Sequence, residues 1–403
     1  MSTAGFSKAR LDRMRTLMQG YVDRGEIPGI VTLVSRHGDT HADAVGSLAL
    51  GGAVAMRPDT IFRISSVSKP ITAVAAMILV EECKLRLDDP VDRLLPELAN
   101  RRVLSRFDAE LDDTVPARRA ISVRDLLTFR MGFGILMLPP DATPIQRAAN
   151  ALELNQGPPN PQSFPAPDEW IRRLGTLPLM YQPGERWAYN TGCDVLGVLI
   201  ARASGMPFAD FLRERLFEPL GMSDTAFFVP KQKQYRFATS YHTDFRTHAL
   251  SLFDGPADGQ WSMPPAFPSG AGGLVSTASD LLAFGEMMLG RGERGGTRIL
   301  SRPSVVLMTS DLLSPEQKVP WGLNGGYFDT HGFGFGMSVV TSCSDYSGSV
   351  GTFGWDGGLG TSWYCDPREH MVSILMTQAM WTSPTPPHVC LDFRTAAYQA
   401  IDD

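Results

Sequence analysis

Ile61-Phe62-Arg63-Ile64-Ser65-Ser66-Val67-Ser68-Lys69-Pro70-Ile71-Thr72 is the stretch on which the reading of the fold turns. Residues 60–64 read as a short strand. From Pro70 onwards, Ile71, Val74, Ala75, Ile78, Leu79 and Glu82 recur at the spacing of a helical face. A proline is tolerated in a helix only in the first turn, where its missing N–H has no partner to lose. Ser66 is therefore expected where a strand hands over to a helix, with Lys69 one turn later. Positions i and i+3 share a helix face, so the lysine nitrogen can reach the serine hydroxyl. A serine alkoxide is hard to form near neutral pH, and a partly buried lysine is a base that can take the proton. N–H groups at the helix start favour the developing negative charge. Taken alone, Ser-x-x-Lys is better read as an N-cap serine followed by a solvated lysine. Context favours chemistry: the helix that follows is strongly apolar, and no other lysine of the chain has serine three positions before it.

At 403 residues the chain exceeds what one compact core usually fills, so two lobes are expected. A hydrophobic share of 43% and a charged share of 20% are those of a soluble globular protein. The net charge of −6, without a basic block, argues against a nucleic-acid partner. The first residues mix Arg, Lys and Asp and hold no apolar signal core. No apolar run reaches membrane-spanning length, so no membrane partner is expected either. Cys83, Cys193, Cys343, Cys365 and Cys390 are odd in number, scattered and without metal-ligand spacing. They read as reduced thiols of a cytoplasmic protein needing no metal and no cofactor.

Leu11, Met14, Leu17, Met18, Tyr21 and Val22 mark one face of an N-terminal helix, which Pro28-Gly29 follows. Residues 30–36 read as a buried strand, and His37-Gly38-Asp39 as a hairpin turn before a second strand over 42–50. From Leu87 to about residue 264 the readable elements are helical: 123–129 capped by Ser122, 169–174 capped by Asp168, then 194–203 and 207–217. Between them, 138–167 is rich in Pro, Asn and Gln and reads as a long surface loop, a kind uncommon unless functional. With Phe133 and Met137 just before it, this loop is expected to form part of a substrate-pocket rim. Beyond residue 265 a Gly-rich turn and a helix through Met288 lead into short strands over 332–340, 349–355, 360–365 and 371–378, and a closing helix over 391–401. Together these describe an α/β domain from both ends of the chain (1–75 and 265–403) with a mainly helical domain (76–264) inserted, the active site between them.

Four stretches resemble one family. Ser66-Val67-Ser68-Lys69 fits the Ser-x-x-Lys signature of β-lactamases and penicillin-binding proteins. Pro183-Gly184-Glu185-Arg186-Trp187-Ala188-Tyr189-Asn190 is similar to the stretch bearing that family's catalytic tyrosine. Gly272-Gly273-Leu274-Val275-Ser276-Thr277-Ala278-Ser279-Asp280-Leu281 resembles its Gly-Gly-Leu segment, and Gly354-Trp355-Asp356-Gly357-Gly358 falls where Lys-Thr-Gly or His-x-Gly would lie. Leu85-Arg86-Leu87-Asp88-Asp89-Pro90-Val91 and Val123-Arg124-Asp125-Leu126-Leu127-Thr128 agree as well. The chain resembles class C β-lactamase-like serine hydrolases over nearly its whole length, and the tryptophan of the last motif is most similar to that of family VIII carboxylesterases.

The resemblance implies a β-lactamase/penicillin-binding-protein-like fold, an antiparallel sheet flanked by helices. It implies a small-molecule ester substrate and an acyl-enzyme on Ser66, with Lys69 and Tyr189 as a coupled proton relay. The oxyanion hole would combine the backbone N–H groups of Ser66 and Gly358. Trp355, Asp356, Gly357, Thr191, Phe133 and Met137 are the expected substrate contacts. Two departures bear on the substrate. Thr191 stands where the family has asparagine, and Trp355 removes the cation that would pair with a β-lactam carboxylate. The expectation is therefore an esterase for short-chain acyl esters. A β-lactamase, a D-amino-acid peptidase or amidase and an acyltransferase are the rival enzymes, and a non-enzymatic binding protein is the rival outside them. No Gly-x-Ser-x-Gly is found, and His242, His248, His331 and His370 have no partner pattern, so they read as structural or surface residues. The sequence leaves the oligomeric state open.

Overall fold

Strand periodicity explains how the two ends of the chain come together. The computed structural model describes residues 5–403 except 137, 140, 155–156, 319–325 and 344–347. Seven strands form one sheet: β1 (Gly29–Arg36), β2 (Asp39–Gly46), β3 (His331–Phe333), β4 (Ser338–Val340), β5 (Phe353–Gly357), β6 (Thr361–Asp366) and β7 (Met371–Thr377). Their order is β3-β4-β5-β6-β7-β1-β2, and every neighbouring pair is antiparallel. The sheet thus joins the first hairpin to the last strands through β1 and β7, in a register that sets Leu33 opposite Ile374.

Side chains alternate between the two faces of a strand. Ile30 and Val34 of β1 face the N-terminal helix α1 (Lys8–Asp23) and the closing helix His388–Gln399, in a cluster with Met14, Met18, Val389 and Phe393. Val31 and Leu33 face the opposite way, into the main core. Being covered on both faces is why this strand reads as a continuous apolar run rather than an alternating one. The main core continues through α2 (Ser68–Glu81), in which every residue from Ser68 to Leu79 is buried.

The intervening helices α3 (Val123–Leu127), α4 (Pro144–Ala151), α5 (Pro167–Thr176) and α6 (Thr191–Ser204) send side chains into that same core. Two sequence expectations need correction. The stretch 138–167 is not all loop: it holds α4, started by Thr143, whose hydroxyl accepts the Gln146 N–H, and anchored by buried Ile145 and Ala149. Asp168 does not cap its helix. Pro167, with φ fixed for the first helical position, starts α5 two residues before the expected 169, and the Asp168 carboxylate pairs with Arg202 instead. All five cysteines are free thiols. Among the described residues no single helix is long and apolar enough to cross a membrane.

Candidate active site

Arg63 anchors the approach to Ser66. The two-residue strand Phe62–Arg63 pairs with Val275–Ser276, and the buried Arg63 guanidinium donates to Asp254 (2.6 Å) and to the carbonyl oxygen of Gly255 (3.0 Å) while lying 3.8 Å over the Phe237 ring. The backbone then turns sharply, with Ser65 in the left-handed region at φ +46°. Such a conformation is costly for a non-glycine residue and persists only where its surroundings enforce it. Here the Ile64 carbonyl is held by the Thr361 hydroxyl (2.9 Å) and the Ile64 N–H by Leu274 O (3.0 Å). Ser65–Val67 form a tight 3₁₀ turn that runs into α2, so Ser66 precedes the helix and Lys69 is its second residue.

Ser66 Oγ lies 2.8 Å from Lys69 Nζ and 2.7 Å from Tyr189 Oη. Lys69 is fully buried, donates also to Ala271 O (2.6 Å), and sits 4.4 Å from the centroid of the Tyr189 ring. The Gly-rich segment Ser269 to Leu274 is tied to the first turns of α2 at three places: Lys69 to Ala271 O, the Thr72 hydroxyl to Gly270 O (2.8 Å), and the Leu274 N–H to the Ser68 hydroxyl (3.2 Å). Behind it, Asp194 on α6 accepts the Ser269 hydroxyl (2.6 Å) and the Ala271 N–H (3.1 Å). Burial raises the Asp194 carboxyl to about 6, although these hydrogen bonds and the charge of Lys69 oppose the rise. Asp194 escaped sequence reading. The available signal was a lone carboxylate inside the apolar run 191–200.

The Tyr189 ring is boxed in. Trp187 stacks on it at 5.5 Å, Phe129 meets it edge-on at 5.9 Å, and Trp355 lies tilted at 5.8 Å with its indole N–H 3.0 Å from Tyr189 Oη. Ser66, Tyr189, Trp355, Asp356 and Gly358 all line one cleft of about 430 Å³. Its other walls are largely apolar, with Ile135, Leu136, Leu138, Pro159, Tyr327 and Trp381 among them. Among the described residues no group of three or more His, Cys, Asp or Glu could hold a metal ion.

The structure does not bring every expected contact to the cleft. Phe133 is buried in the core at 1% exposure, and Ile135 and Leu136 line the cleft instead. Thr191 is buried at 1% at the start of α6, while Asn190, held at φ +83°, takes the cleft position. Gly357 lies behind the wall, where a Cβ would strike the Ile64 carbonyl oxygen and the Thr361 hydroxyl, so its role is to let β5 close against the Ser65 turn. Asp356 lines the cleft, but its carboxylate is committed to Arg394 (2.5 Å) and the Tyr364 hydroxyl (3.0 Å). Met137 lies outside the described residues. Tyr327 and Trp381 are cleft residues that the sequence did not single out.

A family model described as Beta-lactamase matches residues 14–388. The chain belongs to the β-lactamase family. The chain is 39% identical to Protein Rv1367c of Mycobacterium tuberculosis over 376 residues, covering 91% of the chain and 90% of that protein. It is 29% identical to Esterase EstB of Burkholderia gladioli over 393 residues, covering 92% and 90%. The solved structure of EstCE1, described as a hydrolase with promiscuous acyltransferase activity, matches it with a TM-score of 0.79 at 27% identity, covering 97% of this chain and 99% of that one. This β-lactamase family member has the β-lactamase/penicillin-binding-protein-like fold and is a serine hydrolase of the class C β-lactamase-like, family VIII esterase type.

Proposed function

We propose that this serine hydrolase cleaves small, uncharged carboxylic esters through an acyl-enzyme on Ser66. One observation carries the reading: a single hydroxyl at the wall of an apolar cleft has both a lysine nitrogen and a tyrosine oxygen within hydrogen-bond distance. Ser66 Oγ adds to the ester carbonyl while its proton passes to the Lys69–Tyr189 pair, taken as one relay. The carbonyl oxygen becomes an oxyanion beside the backbone N–H groups of Ser66 and Gly358. Collapse expels the alcohol, which leaves with the relayed proton. Water then repeats the sequence on the acyl-enzyme and releases the carboxylic acid. The names of EstB and EstCE1 support an ester as substrate. Transfer of the acyl group to an alcohol in place of water is a second reading, favoured by the description of EstCE1 and by the cleft's room and apolar walls.

Labelling by a fluorophosphonate tests the assignment. The expected result is one adduct, on Ser66, that blocks p-nitrophenyl butyrate hydrolysis, and a folded Ser66→Ala variant with neither labelling nor turnover. An adduct on a different residue would sink the assignment.

A further inference from the structure

The 3.0 Å hydrogen bond from the Trp355 indole to Tyr189 Oη is not needed to hold either ring. Packing already does that: Trp355 meets Phe333 edge-on at 5.4 Å, and Tyr189 is stacked on Trp187 with Phe129 at its edge. The N–H acts instead on one atom, the phenolic oxygen. An indole N–H only donates, so Tyr189 Oη must accept from it. The remaining bonding capacity of that oxygen points at Ser66 Oγ, 2.7 Å away.

We propose that Trp355 is a positioning residue for proton transfer, its N–H aiming Tyr189 Oη at Ser66 and holding that oxygen in place while the relay takes the serine proton. The inference rests on the reading of Ser66, Lys69 and Tyr189 given above. In the step, the Ser66 O–H bond breaks, a bond from Oγ to the substrate carbonyl carbon forms as the carbonyl π pair moves onto its oxygen, and the proton passes by way of Tyr189 Oη to the Lys69–Tyr189 pair. The indole keeps its own hydrogen throughout. A lysine at position 355 would supply both a donor to the tyrosine oxygen and a positive charge in the cleft. The indole supplies the donor without the charge. The cleft therefore keeps the hydrogen bond the relay uses while losing a cation that would hold a substrate carboxylate, and this fits esters without an acid group.

Replacing Trp355 by β-(3-benzothienyl)alanine puts a sulfur where the N–H was and keeps the ring's shape. With p-nitrophenyl butyrate, kcat should fall about 10- to 100-fold with little change in KM, and the acid limb of the kcat/KM profile should move up by about one to two pH units. The melting temperature should stay where it is. An isostere with the wild-type rate and profile, alongside a crippled Trp355→Ala, would show that the ring only packs and would overturn the proposal. Failure of the underlying reading looks different: the wild-type enzyme would not be labelled on Ser66. In that case 3-fluorotyrosine at position 189, followed by fluorine NMR across pH, still decides. A titration that moves up in the isostere supports the donor role, and one that does not move overturns it.

Discussion

Ser66 Oγ has two partners at 2.7–2.8 Å, and those partners sit against each other, the Lys69 nitrogen 4.4 Å from the Tyr189 ring. The proposed relay treats them as one unit, so removing either should disable both. Lys69→Ala and Tyr189→Phe are each expected to lower kcat by at least about two orders of magnitude, with the double variant little slower than either single one. Losses that multiply would refute the relay. Asp194 makes a separate prediction about stability. Its carboxyl is raised by burial to about 6 in the folded protein, against about 4 in an unfolded chain. The folded state therefore binds this proton more tightly. The stabilisation it brings is complete below about pH 4, declines as pH rises through about 6, and is absent above, a difference of about 3 kcal/mol. Asp194→Asn keeps an oxygen acceptor for the Ser269 hydroxyl and the Ala271 N–H but has no proton to lose. Its denaturant midpoint should be flatter than wild type between pH 4 and 7. Parallel curves for the two proteins would reject the account.

At the level of elements, helix α4 and the ends of the stretch 138–167 have different tasks. Ile145 and Ala149 are in the main core, whereas Leu138, Pro158 and Pro159 face the cleft. Ile145→Ala should lower stability by about 2–5 kcal/mol, measured by denaturant unfolding, and leave the ranking of acyl chain lengths alone. Pro158→Ala with Pro159→Ala should change that ranking with little loss of stability. The opposite pattern would assign the tasks wrongly. This contrast also marks where sequence reading stops. Elements with a strong apolar signal were legible, α1 by its one-faced period and α2 and β1 by near-continuous apolar runs, because burial on one face or on all sides is written directly into residue type. Helix α4 was hidden because only two or three of its residues reach the core and its flanks are rich in proline, asparagine and glutamine. The motifs gave the local neighbours Ser66 and Lys69, which one helical turn dictates. They could not say which of two adjacent residues faces the cleft. That choice turns on backbone twists such as φ +83° at Asn190, and on Gly134, where a Cβ would come within 2.6 Å of the Tyr189 carbonyl oxygen. Contacts such as Trp355 to Tyr189, 166 positions apart, exist only once the sheet and helices have packed.

Substrate choice belongs to the whole molecule, because the cleft walls come from residues as distant in the chain as Ile135, Pro158 and Trp381. Those walls are mostly apolar, and the one carboxylate among the described lining residues, Asp356, is neutralised by Arg394. The Lys69 nitrogen is already spent on Ser66 Oγ and Ala271 O. An activated ester asks little of such a site: a nucleophile, a proton relay and two oxyanion donors. A β-lactam also carries a carboxylate and a side-chain amide that must be held in register while the ring opens. The indole of Trp355 offers the carboxylate no charge, and Thr191 is buried behind Asn190, so it presents no amide-binding group to the cleft. A hydrogen bond to a charged group contributes about 1.5–3 kcal/mol, which is roughly one to two decades in kcat/KM. Lacking the bond to the carboxylate, and with only Asn190 near the amide, the enzyme should hydrolyse p-nitrophenyl butyrate at least about a hundredfold better than a cephalosporin. The comparison is of kcat/KM for the two substrates on one preparation. Introducing a cation by Trp355→Lys should narrow the gap by raising the cephalosporin value relative to the ester value. Comparable values in the unaltered enzyme would replace the esterase reading with a β-lactamase one.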